Sequence, residues 1–144
     1  MSTKPDRSDS HYDVIVIGGG ASGMMAAGKA ASRGKRVLLV EKNKVLGKKL
    51  SITGGGRCNI TNAESDVRTL LANYGEANKF VFSPFSQYGV AETFSFFEER
   101  GLPLVVEARQ RAFPETQDAR DVTAVMKKYV TDHNVTLKTG TRVD

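Results

Sequence analysis

With 144 residues, 40% of them hydrophobic and 26% charged, the chain is sized for one domain around one modest core. The single cysteine, Cys58, excludes an internal disulfide, and the formal charge of +5 is only mildly basic. There is no Arg-rich tail, zinc-ligand pattern or aromatic stacking platform, so nucleic acid is not the expected partner and no metal is expected.

Residues 1–10 are polar and read as a flexible leader, with the folded domain over 11–144. Met1–His11 lacks the apolar core of a signal peptide, and Val14–Ile17 is too short to span a bilayer. A soluble cytoplasmic protein without membrane insertion is expected. Val14–Ile17 is a β-branched run, the pattern of a buried parallel strand. Gly18, Gly20 and Gly23 follow it in a G-x-G-x-x-G pattern. In a dinucleotide site the first glycine turns the chain, the second admits a pyrophosphate and the third lets helix and sheet pack closely. The spacing predicts a helix from Ala21 or Ser22 to Ser32, ended by Gly34, and a second strand over Val37–Val40. Glu41 follows at the distance where a ribose hydroxyl acceptor belongs. The bland alternative is a glycine-rich strand-to-helix turn with no ligand.

Val45–Ser51 reads as a short helix. Thr53-Gly54-Gly55-Gly56-Arg57-Cys58-Asn59-Ile60-Thr61-Asn62 is unusual, because three glycines are costly to order without a use for their bare backbone. Their amides could cradle an anion, with Arg57 and Asn59 as added donors; a polar flexible loop is the alternative. Ser65–Asn73 reads as a helix capped by Ser65, and Phe80, Phe82 and Phe85 as core or lid aromatics around Pro84. Val90–Glu99 reads as a helix with a Val90, Phe94, Phe97 stripe. Leu104–Glu107 and Arg111–Phe113 suggest a hairpin. Ala119–Asp132 is a helix with Val122, Val125, Met126 and Tyr129 at helical spacing, and Val135–Lys138 a third parallel strand placed beside the first.

The expected fold class is therefore α/β: a Rossmann-like, three-layer dinucleotide-binding fold, incomplete in this chain. A helical and hairpin excursion separates its second and third parallel strands. The basic excess falls between Lys29 and Arg57, where Glu41 is the one acid; it reads as a solvated basic face or an attractor of diphosphates or nucleic acid. His11 and His133 have no metal-ligand spacing.

The Gly18–Gly23 fingerprint, Glu41, Gly47-Lys48-Lys49-Leu50, Thr53 to Asn62 and Phe113-Pro114 together resemble the HI0933-like, or BaiN/RdsA, family of bacterial flavoproteins. These are regarded as NAD(P)/FAD-dependent oxidoreductases. The most discriminating string is Gly47 to Asn62, and the resemblance covers the chain after its leader. It departs at Gln110, where members usually carry glycine. Members are also longer, so the resemblance implies the front part of a larger enzyme that needs its remaining portion or a complementary chain.

The resemblance implies FAD as cofactor, with NADH or NADPH as possible electron donor. Gly18, Gly20, Ala21, Ser22 and Gly23 would bind the pyrophosphate, and Glu41, with Lys42 beside it, the adenosine ribose. Lys49, Thr53, Gly54, Gly55, Gly56, Arg57, Cys58, Asn59 and Asn62 would lie along the cofactor, and Val143 near adenine. Arg57 and Asn59 are the candidates for the flavin's polar edge. Arg111 has two readings of equal weight, an anion contact or a surface arginine. Cys58 reads as a buried or cofactor-adjacent thiol in preference to a thiolate activated by Arg57, since the paired cysteines of a disulfide reductase are absent. No catalytic residue is assigned.

Three function classes follow. The first is the front of an FAD oxidoreductase acting on an unidentified small molecule or oxygen. The second is a truncated, catalytically silent FAD-fold domain that needs a partner. The third, weaker, is a flavin-dependent RNA-modifying protein.

Overall fold

The computed structural model describes residues 11–143 in two compact units, 11–49 with 126–143 and 50–125. The leader expected over 1–10 lies outside the described residues. In the first unit, β1 (Val14–Ile17) leads into α1 (Ala21–Ala31), which returns the chain to β2 (Val37–Val40). The strands pair in parallel from Val14 with Val37 to Ile17 with Val40. The α1 surface is slim because its buried positions are Met24, Ala27 and Gly28. A Cβ at Gly28 would lie 2.2 Å from the Tyr129 ring, so glycine there allows close helix packing. Side chains alternate along β1, and Val16 faces Gly23 of α1. Ile15 and Ile17 therefore point to the opposite sheet face, where they are 59% and 66% exposed.

α5 (Ala119–Asp132) has the expected bounds, and Val122, Met126 and Tyr129 of its stripe are buried. It belongs to the second unit up to Val125 and to the first from Met126. β6 (Thr136–Lys138) follows, parallel to β2, in the order β1-β2-β6. This corrects the expected place beside β1. The ladder explains the choice: Glu41 N–H donates to the Lys138 carbonyl at 2.9 Å, and Thr141 N–H to the Glu41 carbonyl at 3.0 Å. All three β6 residues are exposed, as suits a sheet edge.

The second unit carries β3 (Thr61–Asn62), α2 (Val67–Ala72), α3 (Asn78–Gln87), α4 (Val90–Glu98), β4 (Leu104–Glu107) and β5 (Arg111–Pro114). The expected hairpin forms, but β3, which the sequence pattern did not suggest, joins it as an antiparallel sheet in the order β3-β5-β4. The hairpin turn holds Arg109 and Gln110 at φ +62° and +56°.

Four local expectations are corrected. The helix expected over Val45–Ser51 is a turn over 46–49, with Gly47 at φ +71°, followed by a 3-10 segment at Leu50–Gly56. Asp66, not Ser65, caps α2 by accepting from Thr69 N–H at 2.7 Å. Phe80 and Phe82 are 85% and 43% exposed on α3, which continues through Pro84, so of their two readings, core or lid, the core one is excluded. Phe96 and Phe97 are the buried aromatics of α4, while Phe94 is half-buried.

Candidate functional site

The first unit gathers its candidate residues at the carboxyl ends of β1 and β2. Gly18, at φ +102°, donates its N–H to the Val40 carbonyl at 2.7 Å, so the chain turns away from the sheet there. Gly19 is buried, and its N–H donates to Glu41 Oε2 at 2.6 Å. Glu41 Oε1 accepts from Asn43 N–H at 2.8 Å and from Asn43 Nδ2 at 2.6 Å. The carboxylate is thus buried yet bonded through both oxygens. The Asn43 and Gly19 N–H groups hold its pKa below the ordinary glutamate value, against the upward push of burial.

A Cβ at Gly23 would lie 1.8 Å from the Gly18 carbonyl oxygen, which accounts for the third glycine as a packing requirement. A Cβ at Gly20 would meet nothing within 4 Å. Gly20 begins α1 without a side-chain cap, and the following Ala21 and Ser22 are exposed. A cleft of about 240 Å³ opens at the carboxyl ends of β1 and β2, lined by Ile17, Gly18, Val40, Glu41, Lys42, Thr141, Arg142 and Val143. The structure therefore brings Gly18, Glu41, Lys42 and Val143 together. Sequence reasoning missed Gly19, Asn43, Thr141 and Arg142. Position after a strand that ends at the same sheet edge as Glu41 was the available signal for Thr141 and Arg142. Lys49 is exposed at the end of this unit's first segment.

In the second unit, Gly54, Gly55 and Gly56 are left-handed in succession, at φ +58°, +67° and +86°. Cys58 N–H donates to the Thr53 carbonyl at 3.0 Å, and Thr53 Oγ1 to the Leu50 carbonyl at 2.8 Å, closing the loop on itself. A Cβ at Gly54 would lie 2.8 Å from Asn59 N, whereas Gly55 and Gly56 face open space.

The polar side chains of this loop build structure. Arg57 Nη1 donates to Glu107 Oε1 and Gln117 Oε1, each at 2.9 Å, and its guanidinium lies 4.1 Å from the Phe113 ring centre. With its nitrogen turned toward them, the Asn59 amide donates to the carbonyls of Thr61 at 3.1 Å and Ala112 at 3.2 Å. Asn62 Oδ1 accepts from Glu64 N–H at 2.9 Å. Cys58 is buried at φ +61°, and burial pushes its thiol pKa up, opposed by a hydrogen bond with Thr53. That direction runs against thiolate activation by Arg57. Arg111 Nε donates to the Ala108 carbonyl at 3.1 Å, within the hairpin turn.

The basic stretch does not form one face. Lys29, Arg33, Lys35 and Arg36 lie on α1 or between it and β2, at the amino end of β2, whereas Lys42 and Lys44 follow its carboxyl end. Among the described residues there is no His, Cys, Asp and Glu group able to hold a metal, and no helix long and apolar enough to cross a membrane.

A parallel sheet with a glycine turn at β1 and an acid ending β2 defines a Rossmann-like α/β fold of the FAD-binding kind. The HI0933-like protein Rossmann domain matches residues 12–144, and the chain belongs to that family. It is 35% identical over 131 residues to the 3-dehydro-bile acid delta(4,6)-reductase of Clostridium scindens, covering 90% of this chain and 31% of that protein. It is 38% identical over 77 residues to the ribosomal RNA dihydrouridine synthase of Escherichia coli (strain K12), covering 54% of this chain and 19% of that protein. The chain thus spans about a third or less of these relatives. Among solved structures, 3-ketosteroid-delta4-(5alpha)-dehydrogenase from Rhodococcus jostii RHA1 shares the fold with a TM-score of 0.69 at 16% identity, over 92% of this chain and 38% of that one.

Proposed function

We propose that residues 11–144 are the nucleotide-binding front of an FAD-dependent oxidoreductase, which passes hydride or electrons between reduced nicotinamide, FAD and an organic acceptor or oxygen. The observation that carries this reading is the Glu41 carboxylate, locked by Gly19 and Asn43 at the rim of the cleft that Gly18 and Val143 also line. The residues fit a dinucleotide. A buried, ionised carboxylate is an acceptor for ribose hydroxyls, and the space beside Gly20 leaves its backbone open to a pyrophosphate.

In this reading Gly18, Gly20, Ala21, Ser22 and Gly23 present the first turn of α1 to the diphosphate. Glu41 orients the ribose, and the 141–143 segment borders adenine. FAD, when bound, supplies the redox chemistry. The Thr53–Asn62 loop is assigned to the flavin half of the cofactor through its open Gly55 and Gly56. Arg57 acts there by fixing the loop to the hairpin. The exposed Ile15–Ile17 face and the β1 edge are assigned to the rest of the fold, supplied by further chain or a partner. The names of the two relatives, a reductase and a dihydrouridine synthase, favour an unsaturated organic molecule as hydrogen acceptor. A lone buried thiol suits a reducing cytoplasmic setting.

The test is the chromophore of the full-length protein. A flavin absorption spectrum and released FAD are expected, followed by bleaching under reduced nicotinamide without air. Protein that neither carries FAD nor is reconstituted by it overturns the reading, and FAD retention without reduction favours a silent domain. A second reading, RNA modification, draws on the dihydrouridine synthase relative. Reversing Lys42 and Lys44 together should weaken RNA binding if it holds; unchanged binding removes it.

A further inference from the structure

A cavity of about 370 Å³ in the second unit lies between α2 and α3, and it shares no lining residue with the cleft at the ends of β1 and β2. Its walls are Arg68 and Leu71 of α2 and Asn78, Lys79 and Phe82 of α3. Arg68 and Leu71 are three residues apart, as are Lys79 and Phe82, so each helix turns one cation and one apolar side chain to the same side. Leu71 is buried, and Phe82 is 43% exposed. The Tyr74 and Phe85 rings meet edge to face at 5.9 Å and tie α3 to the turn after α2. Asp66, close enough to feel the Arg68 charge, accepts the α2 cap hydrogen bond from Thr69. Neither Arg68 nor Lys79 is in an ion pair among the described residues.

We propose that this cavity binds a small amphipathic carboxylate, its anionic head between Arg68 and Lys79 and its apolar body against Leu71 and Phe82. The charge complementarity selects an anion, and the apolar wall selects one with a hydrophobic body over a bare inorganic ion. The volume is at the small end of ligand pockets, which suits a body of one or two rings. The Asn78 amide adds a donor and an acceptor to the rim. The site carries no redox role and is independent of the flavin reading.

Titration of the full chain with naphthoate, followed by amide chemical shifts, tests the site. Saturable shifts confined to residues 67–87 are expected. R68Q/K79Q, which alters two exposed side chains, should weaken binding by about tenfold or more. Phe82→Ser should weaken it with the charges intact. Neutral naphthalenemethanol should bind more weakly than naphthoate to the native chain, and equally to R68Q/K79Q. Inorganic phosphate should fail to displace naphthoate. Absence of saturable binding, equal naphthoate affinity in R68Q/K79Q, or displacement by phosphate at comparable concentration overturns the proposal. A folded R68Q/K79Q chain is verified by unchanged shifts in α4 and β5.

Discussion

Gly19 and Glu41 are joined across 22 residues of sequence by a 2.6 Å hydrogen bond from the Gly19 N–H to the buried carboxylate. The glycine is required sterically as well: a Cβ there would lie 2.4 Å from Leu46 Cδ2 and 3.2 Å from Glu41 Cβ. Leu46 is buried and has little room to yield. Gly19→Ala should therefore destabilise the chain by about 1–3 kcal/mol. Gly20→Ala, one residue on, faces open space at φ −82° and should leave the melting temperature unchanged or slightly raised. In full-length protein it should still weaken FAD retention, because the added methyl occupies the pyrophosphate's approach. Paired melting curves and FAD titrations check both. Equal stability of the two variants would remove the steric account of Gly19.

The same carboxylate makes stability depend on acid. Its folded pKa lies below the ordinary glutamate value because Asn43 and Gly19 hold the ionised form. The folded state therefore binds fewer protons than the unfolded state in the window between the two values. The stability contributed by Glu41 is complete above the unfolded value and is lost as pH falls through the folded one. Urea midpoints should decline on acidification below the ordinary glutamate range, and Glu41→Gln should flatten that part of the profile. A parallel decline in both proteins would assign the acid limb to other carboxylates.

The parts of the fold set by local periodicity were legible. α5 emerges over Ala119–Asp132 because its apolar stripe has one helical solution, Gly18 follows from the turn it makes, and Gly23 from the close packing of α1 on that turn. What local pattern cannot encode is which neighbour a strand takes. β6 pairs with β2 through the Glu41 and Thr141 backbone, and β3 is too short to announce itself before β5 pairs with it. Residue type left Phe80 open between core and lid, and only tertiary context shows it exposed. The basic stretch looked continuous because sequence distance hides that α1 and β2 run in opposite directions. The Glu41 position was legible from spacing; its partners Gly19 and Asn43 were not, since a backbone N–H carries no sequence signature.

Burial of Cys58 sets its reactivity. The side chain is 2% exposed and its pKa is raised, so little thiolate is present near neutral pH. A disulfide-exchange reagent should label the native chain slowly and the urea-unfolded chain at the rate of a free thiol. Stopped-flow absorbance compares the two rates. Rapid stoichiometric labelling of the folded chain would restore the activated-thiol reading.

Gln110 occupies a left-handed position, φ +56°, at the end of the β4–β5 turn, next to Arg109 at φ +62°. A side chain there carries a backbone cost that glycine avoids. Its carbonyl still anchors β3's neighbourhood by accepting from Ala63 N–H at 2.6 Å, a bond that needs no side chain. Gln110→Gly should stabilise the chain by about 0.5–1 kcal/mol, less than the full conformational cost because the unfolded chain also gains freedom. Chemical denaturation measures it, and a loss of stability would mean that the glutamine side chain contributes more than its conformation costs.

Arg57 ties the glycine loop to the hairpin through three contacts that converge on one guanidinium: Glu107, Gln117 and the Phe113 ring. The ion pair is about one-third exposed on each side, so screening reduces its worth, and the ring contact adds a comparable amount. Arg57→Ala should cost about 1–2 kcal/mol, with Arg57→Lys recovering part of the ion pair but not the planar stack on Phe113. Glu107→Gln should cost less than Arg57→Ala, since it leaves the Gln117 and Phe113 contacts in place. Urea midpoints of the three variants order these contributions. If Glu107→Gln equals Arg57→Ala, the ion pair alone holds the loop, and the Phe113 contact has no independent part in its stability.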